Sequence, residues 1–365
     1  MSLRLMSVAL LIATGAQAQT AAEIADWLRA ANARVNSQAP TPELVAKAYA
    51  VDFSQSKEKL VTADLAKLKG ISGLREVNLG QAAGTDANVA EVVKAVPNLQ
   101  TLKLFFSPVT DGAFEHIGKL SNLQELALNN CKVTDAAMVH LAKLPKLARL
   151  SLTKTAVTET GLETLKGAPI VSLVFDDLVA TRKGMAAIAA MPKLDTLQLQ
   201  FAKVDAEFAE LEKTKTLKEL TVMASTMTDV GAASLGKIKT LERLFIWDTK
   251  TTDKAMASIS GLPLKVLYVD KTGITDAGMK SLAKISTLET LWLNRTAVTD
   301  KGLAALAKHP TLRWVQADET KVTDKAAETA ITINNLDSFS VRKTGFTEAG
   351  EKKIKEKLPK ARVYR

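Results

Sequence analysis

An open α/β solenoid is the fold class this sequence predicts, and three observations predict it. A hexad of the form apolar-x-x-apolar-x-apolar starts at Leu74, Leu99, Leu123, Leu147, Ile170, Leu194, Leu217, Leu241, Leu264, Leu288, Leu312 and Leu336, at intervals of 23 to 25 residues. A fixed period of this kind marks stacked units that share one continuous core. Within a unit the apolar spacing then changes: Leu291 and Leu293 alternate as in a strand, whereas Met138, Leu141 and Leu144 fall on one face of a short helix. Between the two stretches stands a Thr-Asp pair, as in Thr134-Asp135 and Thr299-Asp300, where a helix start needs acceptors for its free N–H groups. Pro145, Pro192 and Pro310 follow the helical stretches, where a helix should stop.

Taken along the chain, residues 1–18 read as a signal peptide: Arg4, an apolar run from Val8 to Ala13, and Ala16-Gln17-Ala18 together predict cleavage after Ala18 and export. Residues 19–47 read as an N-terminal helical cap, in which Ala21 to Gln38 sets Ile24, Trp27 and Leu28 on one side to cover the open end of the first unit. The solenoid itself runs over 48–350, begins with a weaker copy at Ala48 carrying Val51 and Phe53, and counts about thirteen repeats of ~24 residues. Residues 351–365 read as a basic C-terminal cap, with Ile354 and Leu358 in a last helix and Val363 in a final strand. No later segment reaches the ~18 continuous apolar residues of a membrane span.

These units resemble the leucine-rich-repeat family, whose pattern is L-x-x-L-x-L-x-x-N/C-x-L, in the bacterial exported type whose units continue V/I-T-D-x-G-L, similar to its cysteine-containing subclass. LETLWLNRTAVTDKGLAALAKHPT from Leu288 and LQELALNNCKVTDAAMVHLAKLPK from Leu123 show the likeness plainly. The resemblance implies a curved horseshoe, with a parallel sheet on the concave face and short helices on the convex face. At a strand spacing of ~4.8 Å, the arc would be roughly 60 Å long, enough for a macromolecule. The chain departs from the family at the Asn/Cys position, which holds Ser107, Cys131, Thr155, Leu178, Ala202, Ser225, Thr249, Thr272, Thr296, Thr320 and Thr344. Most of these can donate to the turn backbone. Leu178 and Ala202 cannot, and their units lack an intact Thr-Asp, so irregular curvature or a bend is expected between about 170 and 217.

Composition narrows the function. Of 365 residues, 47% are hydrophobic and only 5% aromatic, so the core is aliphatic and a local concentration of rings would stand out. A single cysteine, Cys131, excludes an intramolecular disulfide framework, Cys-rich zinc sites and iron–sulfur clusters. It stands where the repeat otherwise has Thr, so it reads as structural and not as a nucleophile. His116 and His140 share a repeat position on the convex side and read as a solvated helix face, His309 as a helix-end residue, and the Asp series as caps, not calcium ligands. Asp176-Asp177 forms a separate acidic spot. No catalytic set, metal site or cofactor-binding motif stands out. The net charge of +10 is spent partly in the leader and partly in the terminal segment. There it could meet an anionic envelope surface.

The functional candidates lie on the concave face. The position between the last two apolar residues of the hexad is aromatic in three consecutive units, Phe245, Tyr268 and Trp292, and strand alternation adds Trp247 and Trp314 to the same side. Arg243, Asp270 and Arg295 stand among the polar residues around them. Clustered exposed rings mark binding surfaces. The sequence therefore predicts an exported, non-catalytic protein that binds a protein or peptide partner on this face. Two alternatives remain at this stage: the rings stack on a glycan or peptidoglycan, or they pack on one another in an envelope scaffold without a discrete ligand. Mixed charge on the face, together with export, argues against nucleic acid. A weaker second patch is Phe105, Phe106 and Phe201.

Overall fold

The computed structural model describes residues 19–56 and 60–365; the leader expected at 1–18 lies outside the described residues. Fifteen strands form one open sheet in strict chain order, each beside its sequence neighbour. All pairs are parallel except the first, where Arg34–Val35 runs antiparallel to Ala50–Asp52. Most strands have three residues, because only the middle of each hexad pairs before the chain turns away.

The hexad leucines build the core. Leu241, Leu244, Ile246, Leu264, Leu267 and Val269 are all fully buried, as are helix residues such as Met256, Ile259, Met279 and Leu282 that close over them. A helix layer needs ~8–10 Å per element and a strand only ~4.8 Å, so the sheet takes the inner, shorter path and its open face is concave.

From the unit that begins at Leu74 onward, the turns from sheet to helix use the same backbone device. One residue per unit takes a left-handed φ of 49° to 62°, among them Phe106, Asn130, Lys154, Asp177, Phe201, Asp248, Lys271, Arg295, Glu319 and Lys343. In five units the following Thr then donates its hydroxyl to the strand carbonyl, as Thr272 does to Val269 and Thr296 to Leu293, both at 2.7 Å. Cys131 fills this place with a thiol that donates to the Leu104 carbonyl of the preceding unit.

The Thr-Asp pair divides its labour differently from the sequence expectation. The Thr is the helix N-cap, and the Asp reaches across to the next unit, accepting both the backbone N–H and the hydroxyl of the next Thr. Asp253 holds Thr275 at 2.8 and 2.7 Å, and Asp276 and Asp300 repeat the clamp on Thr299 and Thr323. This clamp explains the glycine of T-D-x-G. A Cβ at Gly278 would lie 2.5 Å from Asp253 Oδ1, while its N–H donates to that same oxygen at 2.9 Å.

The ends differ from expectation in detail. The first helix covers Ala21–Ala30 and not the stretch to Gln38; beyond it Asn32 takes a positive φ, the short antiparallel strand Arg34–Val35 follows, and Asn36 and Ser37 turn with positive φ after it. Ile24 and Leu28 are buried, and the Trp27 ring meets Phe53 of the first parallel unit at 5.8 Å. At the other end the helix Glu348–Lys357 precedes a last strand, Arg362–Tyr364. His309 follows the end of the 3-10 helix Ala304–Leu306, as a helix-end residue, and is also buried: its Nε2 lies 3.1 Å from the Ile285 carbonyl, and burial pushes its pKa down.

Candidate binding face

Parallel pairing in register turns each hexad position into a row across the open face. One row runs Phe245, Tyr268, Trp292, Gln316, Ser340 and Tyr364. A second, two residues earlier, runs Arg243, Val266, Thr290, Trp314, Ser338 and Arg362. Both project away from the leucine core, because adjacent strand residues point to opposite sides.

Three of the expected rings form one stack. Phe245 meets Tyr268 edge-on with centroids 4.7 Å apart, and Tyr268 lies flat on Trp292 at 3.8 Å and 3°. A strand spacing of ~4.8 Å lies within the ~4.5–7 Å over which aromatic rings pair, so aromatics at matched positions of neighbouring strands are brought into contact. Trp314 stands clear of the stack on the neighbouring row, 38% exposed, with the Arg313 guanidinium 4.8 Å from its ring centre. Trp247 is equally exposed but follows the end of its strand Arg243–Phe245 and joins neither group.

The expected polar rim is mostly engaged by neighbouring units. Arg243 pairs with Glu219 at 2.5 Å, and Arg295 forks onto Glu319 with two bonds of 3.1 Å. Lys271 and Arg313 pair with Asp248 and Asp337. Asp270 begins a polar ladder instead: it accepts the Asn294 N–H, Asn294 Oδ1 accepts that of Asp318, and Asp318 accepts that of Arg342. Burial pushes the Asp270 carboxyl up to about 6, with the Asp318 charge adding to the rise.

Beyond Trp292 the rings give way to Gln316 and Ser340 and return at Tyr364, which leaves a recess of about 330 Å³ lined also by Thr290, Trp314, Ser338 and Arg342. Tyr364 and Arg342 were missed by the sequence reading. The signal was available: carrying the ring position one period beyond Ser340 reaches Tyr364.

The second expected patch does not assemble. Phe106 and Phe201 occupy the left-handed turn positions of separate units; Phe105 lies edge-on to Phe106 and over Gly80. Cys131 is buried, and burial pushes its thiol pKa up, which suits packing and not nucleophilic attack. Among the described residues no group of three or more His, Cys, Asp or Glu could hold a metal ion, and no helix is long and apolar enough to cross a membrane.

The sequence model described as Leucine Rich repeat matches residues 284–307. None of the curated proteins matches the chain in sequence. Among solved structures, an internalin of Listeria monocytogenes is similar over 94% of this chain and 94% of its own, at 19% identity and a TM-score of 0.60. A leucine-rich-repeat protein of Leptospira interrogans is similar over 82% of this chain and 86% of its own, at 16% identity and a TM-score of 0.53. TLR13, solved in complex with ssRNA13, shares the fold over 88% of this chain but only 53% of its own, at 14% identity and a TM-score of 0.60. At these identities the likeness is one of fold. The protein is a solenoid of leucine-rich repeats, the unit at 284–307 bearing the family's sequence signature and the chain as a whole its fold.

Proposed function

We propose that this protein is an exported, non-catalytic binding scaffold that takes a protein or peptide partner on the concave face of its C-terminal third. The observation that carries the reading is the stack Phe245, Tyr268 and Trp292 with Trp314 beside it, on a face whose other rows are largely polar. Rings held rigid by their neighbours lose little freedom on binding, which is why they serve as anchors. Export rests on the leader pattern at 1–18. The non-catalytic reading is supported by the enclosure of Cys131 and His309. At the chain end, Lys352, Lys357 and Lys360 have no carboxylate partner among the described residues, which supports an electrostatic contact with an anionic envelope surface.

The test is capture of a partner from envelope extract by the mature chain and by a Trp292→Ala, Trp314→Ala variant. Loss of two central anchors should weaken the captured complex by about thirtyfold or more while thermal unfolding changes little. Capture that survives the double substitution unchanged overturns the assignment to this face.

A further inference from the structure

The recess at the end of the ring row combines two aromatic walls, a polar floor and unmatched positive charge. Trp292 forms one wall; its other side is already covered by Tyr268 at 3.8 Å, so one indole face is left for a ligand. Tyr364 of the last strand forms the opposite wall. The register Trp292, Gln316, Ser340, Tyr364 places three strand intervals, ~14 Å, between them. Gln316 and Ser340 make the floor, with the hydroxyls of Thr290 and Ser338 on either side of Trp314 in the next row.

Size and polarity together select the ligand. About 330 Å³ lies at the lower end of the ~300–1,000 Å³ typical of small-molecule sites. An apolar anchor from a peptide would cover the Thr290 and Ser338 hydroxyls and the Gln316 amide without bonding them. A pyranose suits both surfaces, since its C–H face lies flat on a ring while its hydroxyls bond the floor.

Charge narrows it further. Elsewhere along this stretch of the face the cations are matched: Arg243 by Glu219, Lys271 by Asp248, Arg295 and Lys343 by Glu319, and Arg313 by Asp337. Two have no carboxylate partner among the described residues: Arg342, which lines the recess, and Arg362, which borders it beside Ser338. Arg342 lies 4.8 Å over the Tyr364 ring, and Arg362 is two positions before Tyr364 on the same face. The nearby Asp318 is turned inward, accepting from Ser340 Oγ, the Arg342 N–H and Gln316 Nε2.

We propose that this recess binds an acidic saccharide: a pyranose ring stacked on Trp292 or Tyr364, its hydroxyls on Thr290, Ser338 and the amide nitrogen of Gln316, and its carboxylate at Arg342, with Arg362 at the border of the recess adding to the positive field. The site goes beyond partner binding along the face and does not rest on it, because a protein can lie along the arc whether or not a sugar fills the recess.

The experiment titrates the full chain with digalacturonic acid, following tryptophan fluorescence and heat, with cellobiose as the neutral counterpart and an Asp-rich tetrapeptide as the acidic non-sugar. Digalacturonic acid should bind saturably, more tightly than either control, and more weakly as salt is added. Trp292→Ala and Arg342→Gln should each raise its Kd by about tenfold or more, and Arg342→Gln should also erase the preference over cellobiose. Circular dichroism checks that Trp292→Ala is folded; Arg342 is exposed, so its variant reads the site independently of any packing change. The proposal is overturned by absence of saturable binding, by equal binding of cellobiose, by tighter binding of the peptide, or by variants that bind like the parent.

Discussion

The units that begin at Leu241 and beyond, and the two central units that begin at Ile170 and Leu194, hold one turn of the solenoid on the next in different ways. In the C-terminal units an Asp clamps the following Thr with two short bonds, as Asp253 does with Thr275 and Asp276 with Thr299. At the central junction Arg182 stands where the Asp should be and Val204 where the Thr should be. Both halves of the clamp are lost together, so neither a carboxylate nor an N-cap hydroxyl is left without its mate. Three features take over. Phe208 is fully buried at the position held elsewhere by Met256 or Met279, a 3-10 helix Ala206–Lys213 replaces the α-turn, and two backbone bonds, Ala180 N–H to the Lys203 carbonyl and Lys203 N–H to the Leu178 carbonyl, cross the junction at 3.0 and 2.8 Å. A carboxylate clamp demands one spacing between units; apolar burial and main-chain bonds tolerate a different one.

The largest test of this contrast is Phe208→Ala. Removing a fully buried ring from a site that lacks the clamp should cost about 3–5 kcal/mol, read from urea unfolding followed by circular dichroism. A cost below about 1 kcal/mol would show that the backbone bonds between Lys203 and the Leu178–Ala180 turn hold the junction without the ring.

A paired substitution sharpens the comparison at intermediate size. Asp229→Ala removes the acceptor of the Thr252 N–H and hydroxyl and of the Ala255 N–H, and should destabilise by about 1–3 kcal/mol. Arg182→Ala, at the corresponding place in the clampless junction, should stay within about 0.5 kcal/mol. Equal costs at the two positions would sink the idea that the carboxylate is what joins the regular units.

The same contrast explains what was legible in the sequence. The repeat, the strand positions and the row Phe245, Tyr268 and Trp292 followed from a period that each unit restates, so an error in one unit was corrected by the next. The inter-unit role of the Asp was not legible, because its partner Thr lies 22 to 24 residues away and a local pattern sees only a helix cap. Arg243 and Arg295 read as a free rim for the same reason: their acidic partners Glu219 and Glu319 sit one unit away. His309 beside Pro310 reads as a helix end, which it is, whereas its burial against the Ile285 carbonyl of the preceding unit is a property of stacking that the local pattern does not carry. The recess escaped notice because it is defined by where the rings stop, at Gln316 and Ser340, and by a last strand outside the repeat's full pattern.

The smallest effect concerns two carboxylates at equivalent points of the polar ladder, one in each region. Asp270 accepts the Asn294 N–H and Asp176 the Gln200 N–H, and burial pushes both pKa values up, that of Asp270 to about 6. An acid whose folded pKa is raised binds more protons folded than unfolded between the two values, so stability falls as pH rises through that window. For Asp270 the window runs from about 4 to about 6. Asp270→Asn keeps an oxygen for the Asn294 N–H and cannot ionise. It should therefore match the parent near pH 4 and exceed it by about 1–2 kcal/mol above pH 7, a figure discounted for partial exposure. Asp176→Asn should follow the same sign with a smaller gain, since Asp176 also accepts a bond from Thr153 and lies near the Lys154 charge, both of which oppose the rise that burial and the Asp177 charge produce. Urea midpoints measured at pH 4 and pH 8 decide the matter: a stability difference for Asp270→Asn that is the same at both values would mean that the ladder carboxylate stays charged throughout, and that burial on this face costs it nothing.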